Sequence, residues 1–182
     1  MSQSGKLALF IDGANLYSTA RALGFDIDFR KLLAVFQERG RLLRAFYYTP
    51  VEDQEGSSTR PLVDWLGYNG YKVRTRSVWD FSDQNARRKA RSSLSIELAV
   101  NAFEVAPYID EMVLFTGDGD FRSLVEAIQR HGVRVTLVST IAAQPALIAE
   151  ELRRQADVFI DLADLRSQIA RDERPRPPAI VE

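Results

Sequence analysis

Short apolar segments alternate with segments of helical periodicity along almost the whole chain, and this alternation constrains the fold more than any other feature. Strands that alternate with helices favour a mostly parallel sheet covered by helices on both faces, which is a three-layer α/β fold. The predicted strands are residues 6–12, 42–49, 71–79, 112–115, 133–139 and 158–160. The predicted helices are residues 14–23, 29–39, 60–68, 94–105, 121–131 and 162–170, with a further helix opened by Pro145.

The length of 182 residues suits one domain with one well-filled core. We assign this domain to residues 1–170, and we expect the Pro/Arg-rich tail 171–182 to be disordered. The chain has neither an apolar stretch of membrane-spanning length nor a secretory signal at its N-terminus. We therefore expect a cytoplasmic protein that does not enter a membrane.

The residue counts limit the metal chemistry that this chain can support. It contains no cysteine and one histidine, which excludes thiolate sites and multi-histidine zinc or iron centres. A metal site must then be built from carboxylates, which suit hard cations such as Mg²⁺ or Mn²⁺. The net charge of −1 does not by itself indicate a nucleic-acid-binding domain, so the distribution of charge is more informative.

Aspartates follow two buried strands of the predicted sheet. Asp12 ends the first strand, and the turn after residues 112–115 carries Asp118 and Asp120. If the two strands are neighbours, the three carboxylates converge at one edge of the sheet, where such folds bind ligands. Converging carboxylates need a cation or a raised pKa, so we expect a raised pKa in at least one of them when no metal is bound. The alternative interpretation is structural, since Asp is common both as a helix N-cap and in Asp-Gly turns.

The segments Phe10-Ile11-Asp12-Gly13-Ala14-Asn15-Leu16 and Thr116-Gly117-Asp118-Gly119-Asp120-Phe121 resemble the two signatures of the NYN domain, in its LabA-like branch. The resemblance extends over about residues 6–165 and includes residues 96–100 and 151–157. It implies a Rossmann-like fold similar to that of PIN nucleases, with metal-dependent cleavage of RNA. It further implies that Asp12, Asp118 and Asp120 are catalytic metal ligands, and that Asn15 orients Asp12 or the substrate.

The sequence departs from the family pattern at two positions of the fourth predicted helix. The family usually has aspartate at both, whereas this chain has Ser95 and Asn101. Asn101 shares a helical face with Glu97 and Glu104, and we interpret that face as solvated. Ser95 is either a helix cap or a hydroxyl lying just outside the direct ligands of the metal, and it is counted among the candidate substrate-binding residues.

A basic run precedes the same predicted helix. The substrate-binding candidates Arg87, Arg88, Lys89 and Arg91 follow a polar segment, residues 80–86, that contains an aromatic ring. Flexible segments with aromatic and arginine side chains suit single-stranded RNA, although charge runs are more often merely solvated.

The sequence thus predicts a Mg²⁺- or Mn²⁺-dependent endoribonuclease in which Asp12, Asp118 and Asp120 promote attack of water on a backbone phosphate. The expected partners are single-stranded RNA and a second copy of the chain in a homodimer. The alternative is a non-catalytic RNA-binding or regulatory module, because Ser95 and Asn101 stand where the family has acids.

Overall fold

The computed structural model describes residues 5–57 and 59–172 and contains one six-stranded parallel sheet with helices on both faces. The strands are β1 (Lys6–Asp12), β2 (Arg41–Glu52), β3 (Lys72–Val78), β4 (Glu111–Phe115), β5 (Arg134–Ser139) and β6 (Val158–Asp161). The α-helices of this part of the chain are α1 (Gly13–Ala22), α2 (Phe29–Arg39), α3 (Thr59–Tyr68), α4 (Gln84–Val105), α5 (Arg122–Arg130), α6 (Glu150–Gln155) and α7 (Leu162–Ile169). The predicted three-layer α/β fold is confirmed. In the described segments, every helix falls short of the length and apolarity that a membrane crossing requires.

The strand order β3-β2-β1-β4-β5-β6 places β1 in the middle of the sheet. From β1 the chain first builds outward through β2 and β3, and then returns to the other side of β1 to add β4, β5 and β6. The order therefore reverses between β1 and β4, and ligands of open α/β sheets bind at such a reversal, beyond the carboxyl ends of the strands. Asp12 and the turn that follows β4 lie at this point.

Two apolar clusters, one on each face of the sheet, form the core. Residues of β1 alternate between them: Leu7, Leu9 and Ile11 pack with α1, α2, α3 and α7, whereas Ala8 and Phe10 pack with α4, α5 and α6. All five of these β1 side chains are at most 1% exposed, so β1 is buried on both faces. Side-chain direction has a period of two in a strand, so Asp12 points to the same face as Phe10, toward α4.

Three boundaries differ from the sequence prediction. Strand β2 continues through Pro50 to Glu52, whereas the sequence predicts its end at Thr49. Beyond Tyr48 it pairs only with β3, and a proline is tolerated where one side of a strand has no partner. Helix α4 begins at Gln84, ten residues earlier than predicted, and Pro145 does not open a helix, since the next helix is α6. The early turns of α4 bury only Ala90, so they lack the apolar spacing on which the prediction depended.

The end of the domain is held to α2 and to the loop that precedes it. The backbone N–H of Arg171 donates to the carbonyl oxygen of Asp26 at 2.8 Å, and Lys31 forms an ion pair with Asp172 at 2.8 Å. The described fold thus extends two residues beyond the predicted boundary at 170. The rest of the predicted tail, residues 173–182, lies outside the described residues.

Candidate RNA-binding and metal site

Asp12 is both the last residue of β1 and the N-cap of α1. Its Oδ1 accepts a hydrogen bond from the backbone N–H of Asn15 at 3.2 Å, and its Oδ2 accepts one from the hydroxyl of Thr116 at 3.3 Å. The capping interpretation is therefore correct for Asp12, and it coexists with a position at the ligand-binding edge of the sheet.

Burial raises the pKa of Asp12 above its ordinary value, and the negative charge of Asp118 adds a smaller increase. The hydrogen bonds from Asn15 and Thr116 and the positive charge of Arg91 act in the opposite direction. The expectation of a raised pKa in at least one of the three aspartates is confirmed. The main cause, however, is loss of hydration rather than repulsion between carboxylates.

Asp118 and Asp120 lie in the tight turn between β4 and α5. The backbone N–H of Asp118 donates to Thr116 Oγ1 at 3.2 Å, and Asp118 Oδ1 in turn accepts from the backbone N–H of Asp120 at 3.0 Å. Asp118 is partly buried, whereas Asp120 is exposed. Thr116 is fully buried and bonded to both turns, so one hydroxyl fixes Asp12 relative to Asp118.

Asn15 connects the two turns as well. Its side-chain oxygen accepts a hydrogen bond from the backbone N–H of Gly117 at 3.2 Å, while its own backbone N–H contacts Asp12. Gly117 has to be glycine, because a Cβ at this position would overlap the carbonyl oxygen of Leu147. The backbone of Asn15 orients Asp12, and its side chain holds the turn that carries Asp118.

A cleft of about 900 Å³ opens over these aspartates, between the sheet edge, α4 and the start of α5. Asp12, Asp118 and Asp120 all line it. Its lining also includes three of the four predicted basic residues, Arg87, Arg88 and Arg91, together with Ser95. The fourth, Lys89, is exposed and is not part of the lining. The cleft thus combines an acidic floor with a basic wall.

The basic wall is helical. Of the predicted flexible segment, residues 80–83 lie in the connection before α4, and residues 84–86 form the start of α4. Asp83 caps α4 by accepting hydrogen bonds from the backbone N–H groups of Asn85 and Ala86 at 3.0 and 3.1 Å. Arg87 lies over the ring of Phe81, with its guanidinium carbon 5.7 Å from the ring centre. Because Asp83 compensates the helix N-terminus, the arginines that follow it are accommodated despite the unfavourable helix dipole.

The three aspartates share the cleft, but they do not form a compact cluster. Within residues 5–57 and 59–172, no three His, Cys, Asp or Glu side chains are arranged to hold one metal ion together. The donor set still fits a hydrated Mg²⁺ or Mn²⁺, since such an ion needs only one or two protein carboxylates and retains several waters. Asp12 and Asp118 would hold it, because both line the cleft and the hydroxyl of Thr116 is bonded to both of their turns.

Ser95 and Asn101 have local roles in the structure. The hydroxyl of Ser95 donates to the carbonyl oxygen of Arg91 at 3.0 Å, one turn earlier in α4, so Ser95 lies inside this helix rather than capping it. Asn101 is only 9% exposed, and its Nδ2 donates to the hydroxyl of Tyr48 at 2.8 Å. The predicted solvated face is therefore wrong for Asn101, because α4 turns this residue toward the sheet.

Glu97 supports the same wall from the side of β3. Its carboxylate forms ion pairs with Arg74 at 3.2 Å and with Arg76 at 2.6 Å. The contact between Glu97 Oε2 and Arg76 does not have the geometry of a hydrogen bond. These ion pairs tie α4 to the outer strand of the sheet. They use Glu97 structurally, and it does not line the cleft.

Sequence reasoning missed Thr116 and Tyr48. Thr116 immediately follows a buried strand, and a hydroxyl residue before Gly-Asp could have been recognised as a support for the turn. Tyr48 lies beside Asp12 in the register of β1 and β2 and lines the cleft. Its position depends on the pairing of β1 with β2, which local periodicity does not reveal.

Comparisons with known proteins agree with this fold and identify the family. The NYN domain family matches residues 6–163. The chain is 37% identical over 176 residues to the "Low amplitude and bright protein LabA" of Synechococcus elongatus, an alignment that covers 94% of this chain and 91% of that protein. A crystal structure of a protein of unknown function from Vibrio parahaemolyticus shares the fold, with a TM-score of 0.70 and 24% identity over 89% of this chain and 95% of that one. The chain therefore belongs to the NYN domain family, in its LabA-like branch.

Proposed function

We propose that this protein is an RNA-binding ribonuclease whose cleft holds the RNA backbone over Asp12 and Asp118, with a hydrated Mg²⁺ or Mn²⁺ as cofactor. The observation that carries this proposal is that one cleft combines partly buried carboxylates on its floor with three arginines along its wall. The membership of the NYN domain family supports a nuclease or RNA-related role.

Different residues of the cleft bind the phosphates, orient the attacking water and hold the turns in place. Arg87, Arg88 and Arg91 bind the phosphates, since guanidinium groups pair with two phosphate oxygens at once. Asp12 and Asp118 are the acceptors that orient an attacking water. A divalent ion held by these carboxylates would lower the pKa of that water and would compensate charge on the phosphate. Thr116 and Asn15 keep the two carboxylate-bearing turns in fixed relative positions.

The second candidate is a non-catalytic RNA-binding module. Two observations favour it. Ser95 and Asn101 stand where the family has acids, and their side chains are bonded to the carbonyl oxygen of Arg91 and to the hydroxyl of Tyr48. In addition, the charge of Arg91 already offsets part of the charge of Asp12. In this alternative the cleft binds RNA through its arginines, and the carboxylates serve to cap and to connect the turns.

A cleavage assay on a labelled single-stranded RNA, with Mn²⁺ or with EDTA, distinguishes the two candidates. The ribonuclease proposal expects Mn²⁺-dependent cleavage that Asp12→Asn abolishes while RNA affinity is retained. The matched control is Asp26→Asn, which changes an exposed carboxylate outside the cleft. Cleavage that survives Asp12→Asn unchanged contradicts the proposed mechanism, and RNA binding without any cleavage supports the second candidate.

Ser95→Asp tests whether the carboxylate set is reduced but functional. The substitution adds a charged oxygen to the cleft wall, so we expect tighter Mn²⁺ binding by calorimetry and faster cleavage. Tighter binding without cleavage would favour the non-catalytic module. The cytoplasmic location and the homodimer stay predictions, to be checked by fractionation and by analytical ultracentrifugation.

A further inference from the structure

The cleft continues past the aspartates as an apolar groove between α4 and α5. Its α4 wall is formed by Ile96, Ala99 and Phe103, and its α5 wall by Leu124 and Ala127. Small alanine side chains on both helices leave room between them. Ile96 and Phe103 are 68% and 43% exposed, an unusual amount of apolar surface on one side of a helix.

The two ends of the α4 wall differ in chemistry. Its first turns present Arg87, Arg88 and Arg91, and its last turns present the apolar groove. The ring of Phe103 packs edge-on against the ring of His131, with ring centres 5.8 Å apart. One continuous surface thus presents guanidinium groups, followed by an aromatic ring with aliphatic neighbours.

A single nucleic-acid strand has chemical groups that match both parts of this surface. Its charged phosphates can contact the arginines, and its apolar base faces can contact the groove. A base in a duplex is stacked on both sides and is not available to such a groove. We infer that the groove between α4 and α5 binds one unstacked nucleobase of an RNA strand whose phosphates lie on Arg87, Arg88 and Arg91. This inference rests on the proposed function and adds to it a base-binding subsite bounded by Ala99, Phe103 and Ala127.

Filling the groove tests the inference without removing any charged residue. Ala127→Leu places a larger side chain between the helices and retains helix propensity. The matched control is Ala22→Leu, at an exposed position of α1 outside the cleft. Thermal unfolding verifies that both variants fold. The probes are a short oligouridine and a series of the same oligomer with one abasic ribose at each successive position, measured by fluorescence anisotropy at fixed salt.

With wild-type protein, we expect one abasic position to weaken binding roughly tenfold and the others to have little effect, because stacking of a base on protein contributes about a factor of ten in affinity. Ala127→Leu should bind the intact oligomer roughly tenfold more weakly and lose its sensitivity to the abasic position. Ala22→Leu should behave as wild type.

Three results overturn the inference in different ways. Equal sensitivity at every position, or unchanged binding by folded Ala127→Leu, shows that the groove does not hold a base while the proposed RNA binding stands. Conversion of a dimer to a monomer by Ala127→Leu, with unchanged base sensitivity, identifies the groove as a contact between copies of the chain. A wild-type protein that binds none of the oligomers removes the proposed function together with the subsite.

Discussion

Replacing Asp12 with asparagine separates the free-energy cost of burying this carboxylate from its use as a ligand. Asparagine has nearly the same shape, and it can keep both contacts of Asp12. Its side-chain oxygen would accept from the backbone N–H of Asn15, and its amide would donate to Thr116 Oγ1. The hydroxyl of Thr116 can rotate to receive that donor. Thr116 Oγ1 would then accept from both this amide and the backbone N–H of Asp118, so the substitution removes the charge and keeps both contacts of residue 12, while the Thr116 hydroxyl loses the acceptor for its own proton.

The sign of the effect on stability follows from the raised pKa of Asp12. Burial raises that pKa above the ordinary value of 3.8. Protonation of Asp12 therefore stabilises the folded state relative to the unfolded state. The resulting stabilisation is complete below the unfolded-state pKa and is lost as pH rises through the folded-state pKa. Each tenfold change in the acid constant corresponds to about 1.4 kcal/mol. Without divalent ions, Asp12→Asn should therefore be as stable as wild type in acid and more stable near neutral pH.

A divalent ion should reverse the order of the two proteins. Binding to the folded state alone stabilises by about 2.7 kcal/mol when the free ion is at 100 times its Kd. Wild type should gain this free energy of unfolding in Mn²⁺, and Asp12→Asn should gain much less. Urea unfolding followed by intrinsic fluorescence, in EDTA and in Mn²⁺ across the acid and neutral range, measures both effects.

One outcome would refute this reasoning directly. If Asp12→Asn is less stable than wild type near neutral pH in EDTA, by about 1–3 kcal/mol, Asp12 is a net stabilising hydrogen-bonded group and its burial is not costly. An equal response of both proteins to Mn²⁺ would remove Asp12 as a metal ligand. Asp26→Asn, which changes an exposed carboxylate, provides the baseline for both comparisons.

Three further substitutions, with Gly67→Ala as a control outside the cleft, test other contacts. Arg91→Gln should raise the pKa of Asp12 further, because the positive charge of Arg91 lowers it, and infrared titration of the carboxyl band would show no change if that charge is too distant to matter. Asn101→Leu should reduce the free energy of unfolding by about 1–3 kcal/mol, because a buried tyrosine hydroxyl loses its partner; wild-type stability in urea would argue against this bond. Gly117→Ala should lower the free energy of unfolding by about 1–3 kcal/mol, because the added Cβ overlaps a neighbouring backbone carbonyl. Gly67→Ala adds a Cβ that meets open space in α3, so it should raise the unfolding temperature slightly.

The sequence by itself determined the layered fold and the sheet edge at which the candidate site lies. Strands buried on both faces are continuous apolar runs, and amphipathic helices have their own period, so both signals are local and survive without tertiary information. Asp12 and Asp118 could be assigned to one edge because they follow two such strands, and parallel strands end at the same edge of a sheet. The NYN signatures could be read for the same reason, since each is contiguous in the chain.

Only the tertiary structure decided how the residues of the site are used. The helical basic wall depends on a cap at Asp83 and on exposed turns that carry no apolar period. The burial of Asn101 depends on the packing of α4 against β2, where the amide of Asn101 donates to the hydroxyl of Tyr48. The pKa of Asp12 is dominated by desolvation, which arises from all the surrounding atoms together. These properties come from contacts between residues far apart in the chain, and local sequence patterns do not encode such contacts.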